Sequence, residues 1–281
     1  MDSEALRYTA FSDTPDGGNP AGVVLDATGM DDGSMQAVAA EIGYSETAFV
    51  FPQGDGPLRV RYFSPRAEVP FCGHATIATA VALAEHQNAS ELVFETAAGR
   101  IPIELSRGDG PVAATLTSVA THVREADPAD VDEVLATLRW ERDELDPGLP
   151  PRVGYAGAHH LILAAATRER LAAVDYDFDR LDALMAERDW TTVDLVWSQN
   201  PGTFYARNLF PPGGVVEDPA TGAAAAAFGA YLRALGRVEP PARVVVHQGD
   251  DYGRPSELLV DVPAGDDTGI RVTGTAVRIE P

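Results

Sequence analysis

The chain has 281 residues, 45% of them hydrophobic, which is enough for one large domain or two ordinary ones with a buried core. Its formal net charge of -22 argues against a nucleic-acid partner, because phosphate binding needs basic surface. Lysine is absent, which excludes Schiff-base chemistry with pyridoxal phosphate, and the single Cys72 excludes an internal disulfide or a mechanism needing two thiols from one chain.

A GC-rich genome and a salt-adapted surface both account for a chain whose lysines are all replaced by arginine, and the two stay open. No apolar stretch approaches the roughly 20 residues that span a bilayer. The N-terminal MDSEALRYTAFSD has no basic region ahead of an apolar one. No membrane partner and a cytoplasmic location are therefore expected.

In chain order, LRYTAFSD reads as a strand and GGNPAGVVLDA as a turn feeding a second. MDDGSMQAVAAEIG has helical spacing of Met35, Val38, Ala39 and Ile42 and stops at Gly43. YSETAFVFP and LRVRYFSP are predicted strands, and GHATIATAVALAEH a helix over 73–86 that is apolar on nearly every face. ELVFETAAGRIPIEL predicts a hairpin turning at Ala98-Gly99. VDEVLATLRW and FDRLDALMAERD predict outer amphipathic helices. TTVDLVWSQ, TFYARNLF, ARVVVHQGD and the closing IRVTGTAVRIE read as strands, with DPGLPPR as a loop.

The second half contains an echo of the first. Strands lead to FCGHATIATAVALAEH in one and to EDPATGAAAAAFGAYLRALG in the other. A helix apolar all round belongs inside a structure, so each half is expected to be an α+β lobe, a curved sheet wrapped around a central helix.

GGNPAGVVLDA, IGYSETAFV, RYFSPRAEVPFCGHATIATA and ARNLFPPGGVVEDPATGAAAAA are spread in order from residue 17 to 227. Together they resemble the phenazine-biosynthesis PhzF-like isomerases, relatives of diaminopimelate epimerase. The resemblance implies two similar lobes, each with a mostly antiparallel sheet, here 1–118 with 266–281 crossing back, and 119–265. It also implies an active site in the cleft between them, a homodimer, and cofactor-independent acid–base isomerisation of a small carboxylated metabolite. The family's namesake acts on a dihydro-hydroxyanthranilate. The family's acid–base glutamate falls on Glu46, its positioning histidine on His74 and its substrate-contacting aspartate on Asp218. Many members have Ser where this chain has Ala223, so one hydroxyl donor is missing and the substrate is left open.

The residues also carry readings of their own. Glu46 begins an apolar strand and suits proton abstraction and return if it faces a closed cleft; an exposed glutamate at a strand start is the plainer alternative. Gly73 permits close backbone approach, and His74 follows it where a helix has unpartnered amides, so His74 either holds a substrate oxygen or merely caps and packs. Asp218 precedes the alanine-rich helix, where an acid caps or contacts substrate, and the amides of Thr221 and Gly222 open a ready anion site. Asn19 orients substrate or the neighbouring loop, or belongs to a plain turn.

Cys72-Gly73 keeps the first half of the two-thiol racemase pattern, but Pro219-Ala220-Thr221-Gly222 lacks the second. Cys72 is therefore expected to be a small core residue. An epimerase pairing Cys72 with Glu46 or Asp218, and a non-catalytic ligand-binding relative, are the alternatives. His159 and His160 are adjacent, so in a strand they face opposite ways and cannot share a metal. No HExxH, CxxC cluster, EF-hand loop or nucleotide-binding glycine motif occurs, so neither metal nor cofactor is indicated.

Overall fold

A computed structural model of the chain describes residues 5–53, 56–86, 89–108, 110–265 and 269–280. Residues 1–4 of the opening segment, and residues 266–268 and 281 of the expected return segment, lie outside these. The chain divides into two compact units, one of residues 1–117 with 273–281 and the other of residues 118–272.

The first unit begins with β1 (Leu6–Ala10) and β2 (Asn19–Val24), an antiparallel pair. Helix α1 (Asp32–Ile42) starts where the Asp31 side chain accepts the Ser34 amide and stops at Gly43, whose φ of 72° ends the helix in the left-handed region. Strand β3 (Glu46–Phe51) then lies parallel to β2 and antiparallel to β4 (Leu58–Phe63). A two-residue strand, β5 (Glu68–Val69), pairs back on β4 before helix α2 (Gly73–His86). Strands β6 (Glu91–Thr96), β7 (Gly99–Ser106) and β8 (Ala113–Thr117) follow, with β6 parallel to β4 and the rest antiparallel.

Helix α2 has no polar face because it has no solvent face. Every residue from His74 to Ala84 is buried, and the helix packs against β1, β2, β3, β7 and β8. Thr76 and Thr79 fit this environment by donating their hydroxyls to the carbonyls of Cys72 and Ala75 within the helix turn.

The second unit repeats the plan. It opens with β9 (His122–Glu125), α3 (Pro128–Leu138), and the antiparallel pair β10 (Arg152–Tyr155) and β11 (His159–Ala164). Helices α4 (Arg168–Ala172) and α5 (Phe178–Arg188) lead to β12 (Thr192–Asn200), parallel to β11, and β13 (Thr203–Leu209), antiparallel to β12. A second two-residue strand, β14 (Glu217–Asp218), pairs with β13 ahead of helix α6 (Gly222–Ala234). Strand β15 (Ala242–Gln248) is then parallel to β13 and antiparallel to β16 (Ser256–Val262).

Each unit thus contains three antiparallel hairpins joined by two parallel contacts, with an apolar helix following the two-residue strand of the second hairpin. Helix α6 is buried from Ala224 to Leu232 and packs on β9, β10, β11 and β16. The amphipathic α3 and α5 bury one face each in a core shared with Trp140 and Trp190. The last strand, β17 (Arg271–Arg278), pairs with β1 and β8, and the boundary between the units falls within it, between Val272 and Thr273. In the first unit these pairings close a ring of strands around α2.

One local expectation is corrected. The β6–β7 turn is Ala97-Ala98, since Thr96 and Gly99 form the last pair of the ladder. Gly99, at φ 114°, takes the first position of β7 because it tolerates that backbone angle. Among the described residues no helix is long and apolar enough to cross a membrane.

Candidate active site

Four of the singled-out residues of the first unit come together. Glu46 is the first residue of β3, set beside Ala21 of β2 by their parallel register. Cys72, Gly73 and His74 form the entry to α2, which the surrounding sheet fixes in place. The side chains meet because α2 begins beside the strand end that carries Glu46. His74 Nε2 lies 3.4 Å from Glu46 Oε2, and the Cys72 thiol donates to that same oxygen at 3.4 Å. The Glu46 side chain keeps 16% of its exposure, whereas His74 is buried.

Asn19, at the head of β2, is 1% exposed and lies 3.1 Å from His74 Nδ1. Its amide NH2 donates to Nδ1, which leaves the ring hydrogen on Nε2, facing Ser45 Oγ at 3.2 Å and Glu46. Asn19 is therefore neither a plain turn residue nor an exposed one; it orients the histidine. Ser45 has the same task from the other side of the ring and was not singled out in the sequence, where it reads only as the residue before Glu46.

Cys72 is buried as a small core residue is expected to be, and its surroundings add to that reading. It lies among polar groups, with Sγ 3.4 Å from His74 Nδ1 as well as from Glu46. Its carbonyl accepts the Thr76 hydroxyl at 2.6 Å, and Thr76 Oγ1 lies 2.6 Å from the Tyr62 hydroxyl. Burial pushes the Tyr62 phenol well above its usual range, so it stays neutral and serves as a fixed strut. At Gly73 a Cβ would meet no atom within 4 Å, so the backbone at the helix entry borders open space.

In the second unit, Asp218 and Glu217 have separate tasks. Glu217 is 2% exposed and takes the Arg207 guanidinium in a bidentate pair, Nε to Oε2 at 3.0 Å and Nη2 to Oε1 at 2.6 Å. It anchors β14 to β13 and is not a free acid at the helix mouth. Asp218 Oδ2 accepts the Thr221 hydroxyl at 2.6 Å, while the Asp218 carbonyl accepts Gln248 Nε2 at 2.6 Å.

The N-cap of α6 is Thr221, with no side-chain capping bond, because its hydroxyl is turned to Asp218. The carboxylate thus organises the helix entry through that hydroxyl, and Gln248 Oε1 takes the Thr221 amide at 3.1 Å. Gly222 and Ala223 are the first residues of the helix, whose opening amides lack partners within it. The sequence singles out Thr221 for its amide and not for this hydroxyl, and Gln248, at the end of β15, has no local signal there.

His159 and His160 behave as their strand positions require. His159 faces Tyr155 and Asp189, and His160 is enclosed, with Nδ1 2.7 Å from Thr192 Oγ1.

A model of the PhzC-PhzF family, phenazine biosynthesis-like proteins, matches residues 8–280. An uncharacterised isomerase of Deinococcus radiodurans is 35% identical over 263 residues, covering 91% of this chain and 85% of that protein. The trans-2,3-dihydro-3-hydroxyanthranilate isomerase of Pseudomonas chlororaphis is 32% identical over 273 residues, covering 95% and 94%. Among solved structures, a Bacillus anthracis phenazine biosynthesis protein of the PhzF family superposes with a TM-score of 0.90 at 26% identity, covering 98% of this chain and 96% of that one.

Proposed function

The chain belongs to the phenazine biosynthesis-like PhzC-PhzF family, and from that premise we propose that it is a cofactor-independent isomerase moving a proton between two carbons of a small carboxylated metabolite. Glu46 takes a proton from a carbon activated by an adjacent unsaturated group. The electron pair released shifts along the conjugated system, and the same carboxyl returns the proton at the new carbanionic position. Atoms and electrons balance with no external oxidant or reductant. Substrate binding is assigned to Asn19, Gly73 and His74 in the first unit and to Asp218, Gly222 and Ala223 in the second. The chain's similarity to the Pseudomonas chlororaphis enzyme supports a cyclic, unsaturated carboxylate as substrate. The homodimer implied by the family resemblance belongs to the same reading.

The observation that carries this is the placement of Glu46 Oε2, which accepts the Cys72 thiol and lies 3.4 Å from His74 Nε2, with part of the carboxylate left exposed. Positioned acid–base catalysis supplies roughly 100- to 10,000-fold, and fixed dipoles around the developing charge supply the rest. The test is solvent deuterium exchange into trans-2,3-dihydro-3-hydroxyanthranilate and related cyclic carboxylates. Glu46→Gln is expected to abolish exchange while leaving the melting transition in place. Undiminished exchange in that variant would remove Glu46 from its role.

The thiol–carboxylate epimerase is a weaker reading on the same geometry. Two groups that serve opposite faces of one carbon must each approach it to about 3–3.5 Å, so they stand roughly twice that far apart. Cys72 and Glu46 are instead in direct contact at 3.4 Å.

A further inference from the structure

The turn that opens α6 runs from Asp218 to Gly222, and one side chain from a neighbouring strand holds it at two points. Gln248, the last residue of β15, is 1% exposed. Its Nε2 donates to the Asp218 carbonyl at 2.6 Å, and its Oε1 accepts the Thr221 amide at 3.1 Å. Nε2 also donates to Thr221 Oγ1 at 3.2 Å, and that hydroxyl donates in turn to Asp218 Oδ2 at 2.6 Å. One amide thus fixes the backbone of the turn directly and the Asp218 carboxylate through a hydroxyl.

Gln248 is itself firmly placed. Its strand pairs it with Ala206 of β13 on one side and with Ser256 of β16 on the other. The next residue, Gly249, has φ 80°, and a Cβ there would lie 2.4 Å from the Arg254 carbonyl oxygen and 2.8 Å from that of Pro219. The β15–β16 connection therefore presses on the backbone of the turn at a distance that glycine allows. Asp251, in the same connection, takes the Arg168 guanidinium through both oxygens, at 2.9 and 3.0 Å, which ties it to the start of α4.

We propose that Gln248 is a positioning residue of the substrate-binding turn, setting where the Asp218 carboxylate and the opening amides of α6 stand without touching substrate itself. The turn offers it a carbonyl acceptor and an N–H donor, and a primary amide meets both at once. Because Gln248 takes the Thr221 amide, that N–H is not open to an anion as the sequence leads one to expect, and the helix presents Gly222 and Ala223 instead. Asparagine is one methylene too short for this reach. Glutamate keeps the acceptor and loses the donor, and methionine fills the volume with neither.

The consequence for substrate rests on the isomerase reading, whereas the effect on the turn is read without substrate, so the two fail separately. In Gln248→Met, exchange of the Thr221 amide followed by NMR is expected to quicken roughly tenfold or more, with the amides of β12 keeping their rates. Toward trans-2,3-dihydro-3-hydroxyanthranilate, the same variant is expected to raise KM roughly 10- to 100-fold and to change kcat by less than about threefold. The split arises because the proposed base, Glu46, belongs to the first unit and keeps its own neighbours. Gln248→Glu is expected to keep slow Thr221 exchange and still raise KM, since the donor to Asp218 is gone; it carries the test if the methionine variant fails to fold. Thr221 exchange unchanged in Gln248→Met, or KM unmoved in either folded variant, would overturn the assignment. A wild-type protein that moves no proton in that compound, with Thr221 exchange still quickened in Gln248→Met, would reject the isomerase reading for it and leave Gln248 as the residue that shapes the turn.

Discussion

The side-chain amide of Asn19 lies 3.1 Å from Nδ1 of His74, and both residues are buried. The contact sets which ring nitrogen carries the hydrogen facing Glu46. Removing it in Asn19→Ala leaves Nδ1 without this donor and allows the ring to turn over its tautomer. Stability is expected to fall by about 1–3 kcal/mol. Proton exchange falls further, by up to roughly a hundredfold, because the ring beside Glu46 is misplaced. Nitrogen NMR of the imidazole is the discriminating readout. A merely structural asparagine would lower stability and leave the tautomer signals where they were.

Glu217 and Arg207 make a different kind of prediction. With exposures of 2% and 9%, they form a buried bidentate pair, and Arg207 also donates to the carbonyl of Ala172 at 2.8 Å. Glu217→Ala strands an enclosed cation and is expected to cost about 3–5 kcal/mol in urea unfolding. Replacing both partners with apolar residues of similar volume, Arg207→Met with Glu217→Leu, is expected to recover much of that loss, since neither charge then needs solvation. A double variant no more stable than Glu217→Ala would show that the carbonyl contacts of Arg207, and not its charge pairing, hold β14 in place.

A prediction about α6 sets propensity against packing. Alanine stabilises a helix by about 1 kcal/mol over glycine, so Gly229→Ala looks favourable in isolation. A Cβ at Gly229, however, would sit 2.8 Å from Val260 Cγ1 and 3.0 Å from Ile270 Cγ2, in a buried core. Overpacking of that kind costs about 1–3 kcal/mol, and β-branched neighbours have few rotamers to yield. The variant is expected to melt several degrees lower. A higher melting temperature would mean that β16 gives way easily and that the glycine is not there for close approach.

How far the sequence discloses this molecule depends on the range of the interaction. Helices α2 and α6 are legible because continuous apolarity over 13 or 14 residues leaves no solvent face, and Gly43 marks the end of α1 through its own backbone angle. The two-residue strands β5 and β14 are invisible by comparison, since each exists only through pairing with an earlier strand. Glu46, His74 and Asp218 are singled out by motif resemblance, whereas the partners that orient them are not. Cys72 reads as core because a lone cysteine beside an apolar helix usually is; only the chain path puts it on Glu46, 26 positions away. Glu217 has the same difficulty, because its cation sits ten positions back on a neighbouring strand.

The last prediction concerns pH and comes from a buried chain of side chains across β11, β12 and β13. His160 Nδ1 meets Thr192 Oγ1 at 2.7 Å, the Thr192 hydroxyl donates to Asn208 Oδ1 at 2.6 Å, and Asn208 Nδ2 donates to Asp194 Oδ1 at 3.1 Å. Burial pushes the Asp194 carboxyl from its ordinary 3.8 up to about 7, against the smaller opposing effect of the Asn208 bond. Burial also pushes His160 from 6.5 down to about 3, helped by neighbouring His159. Between about pH 4 and pH 7 the folded protein keeps the Asp194 proton that the unfolded chain releases, so this group makes stability fall as pH rises. Between about pH 6.5 and pH 3 the unfolded chain takes up a His160 proton that the folded protein refuses, so that group makes stability fall as pH falls. Over the shared window, about pH 4 to 6.5, the two slopes of about 1.4 kcal/mol per pH unit oppose and nearly cancel. Asp194→Asn keeps an acceptor for Asn208 and removes one slope. Relative to wild type, its stability is therefore expected to climb by about 3 kcal/mol as pH rises across that window. Urea unfolding of both proteins at several pH values decides the matter, because every other titrating group cancels in the difference. Parallel stability profiles would mean that Asp194 ionises in the folded protein much as it does in the unfolded chain.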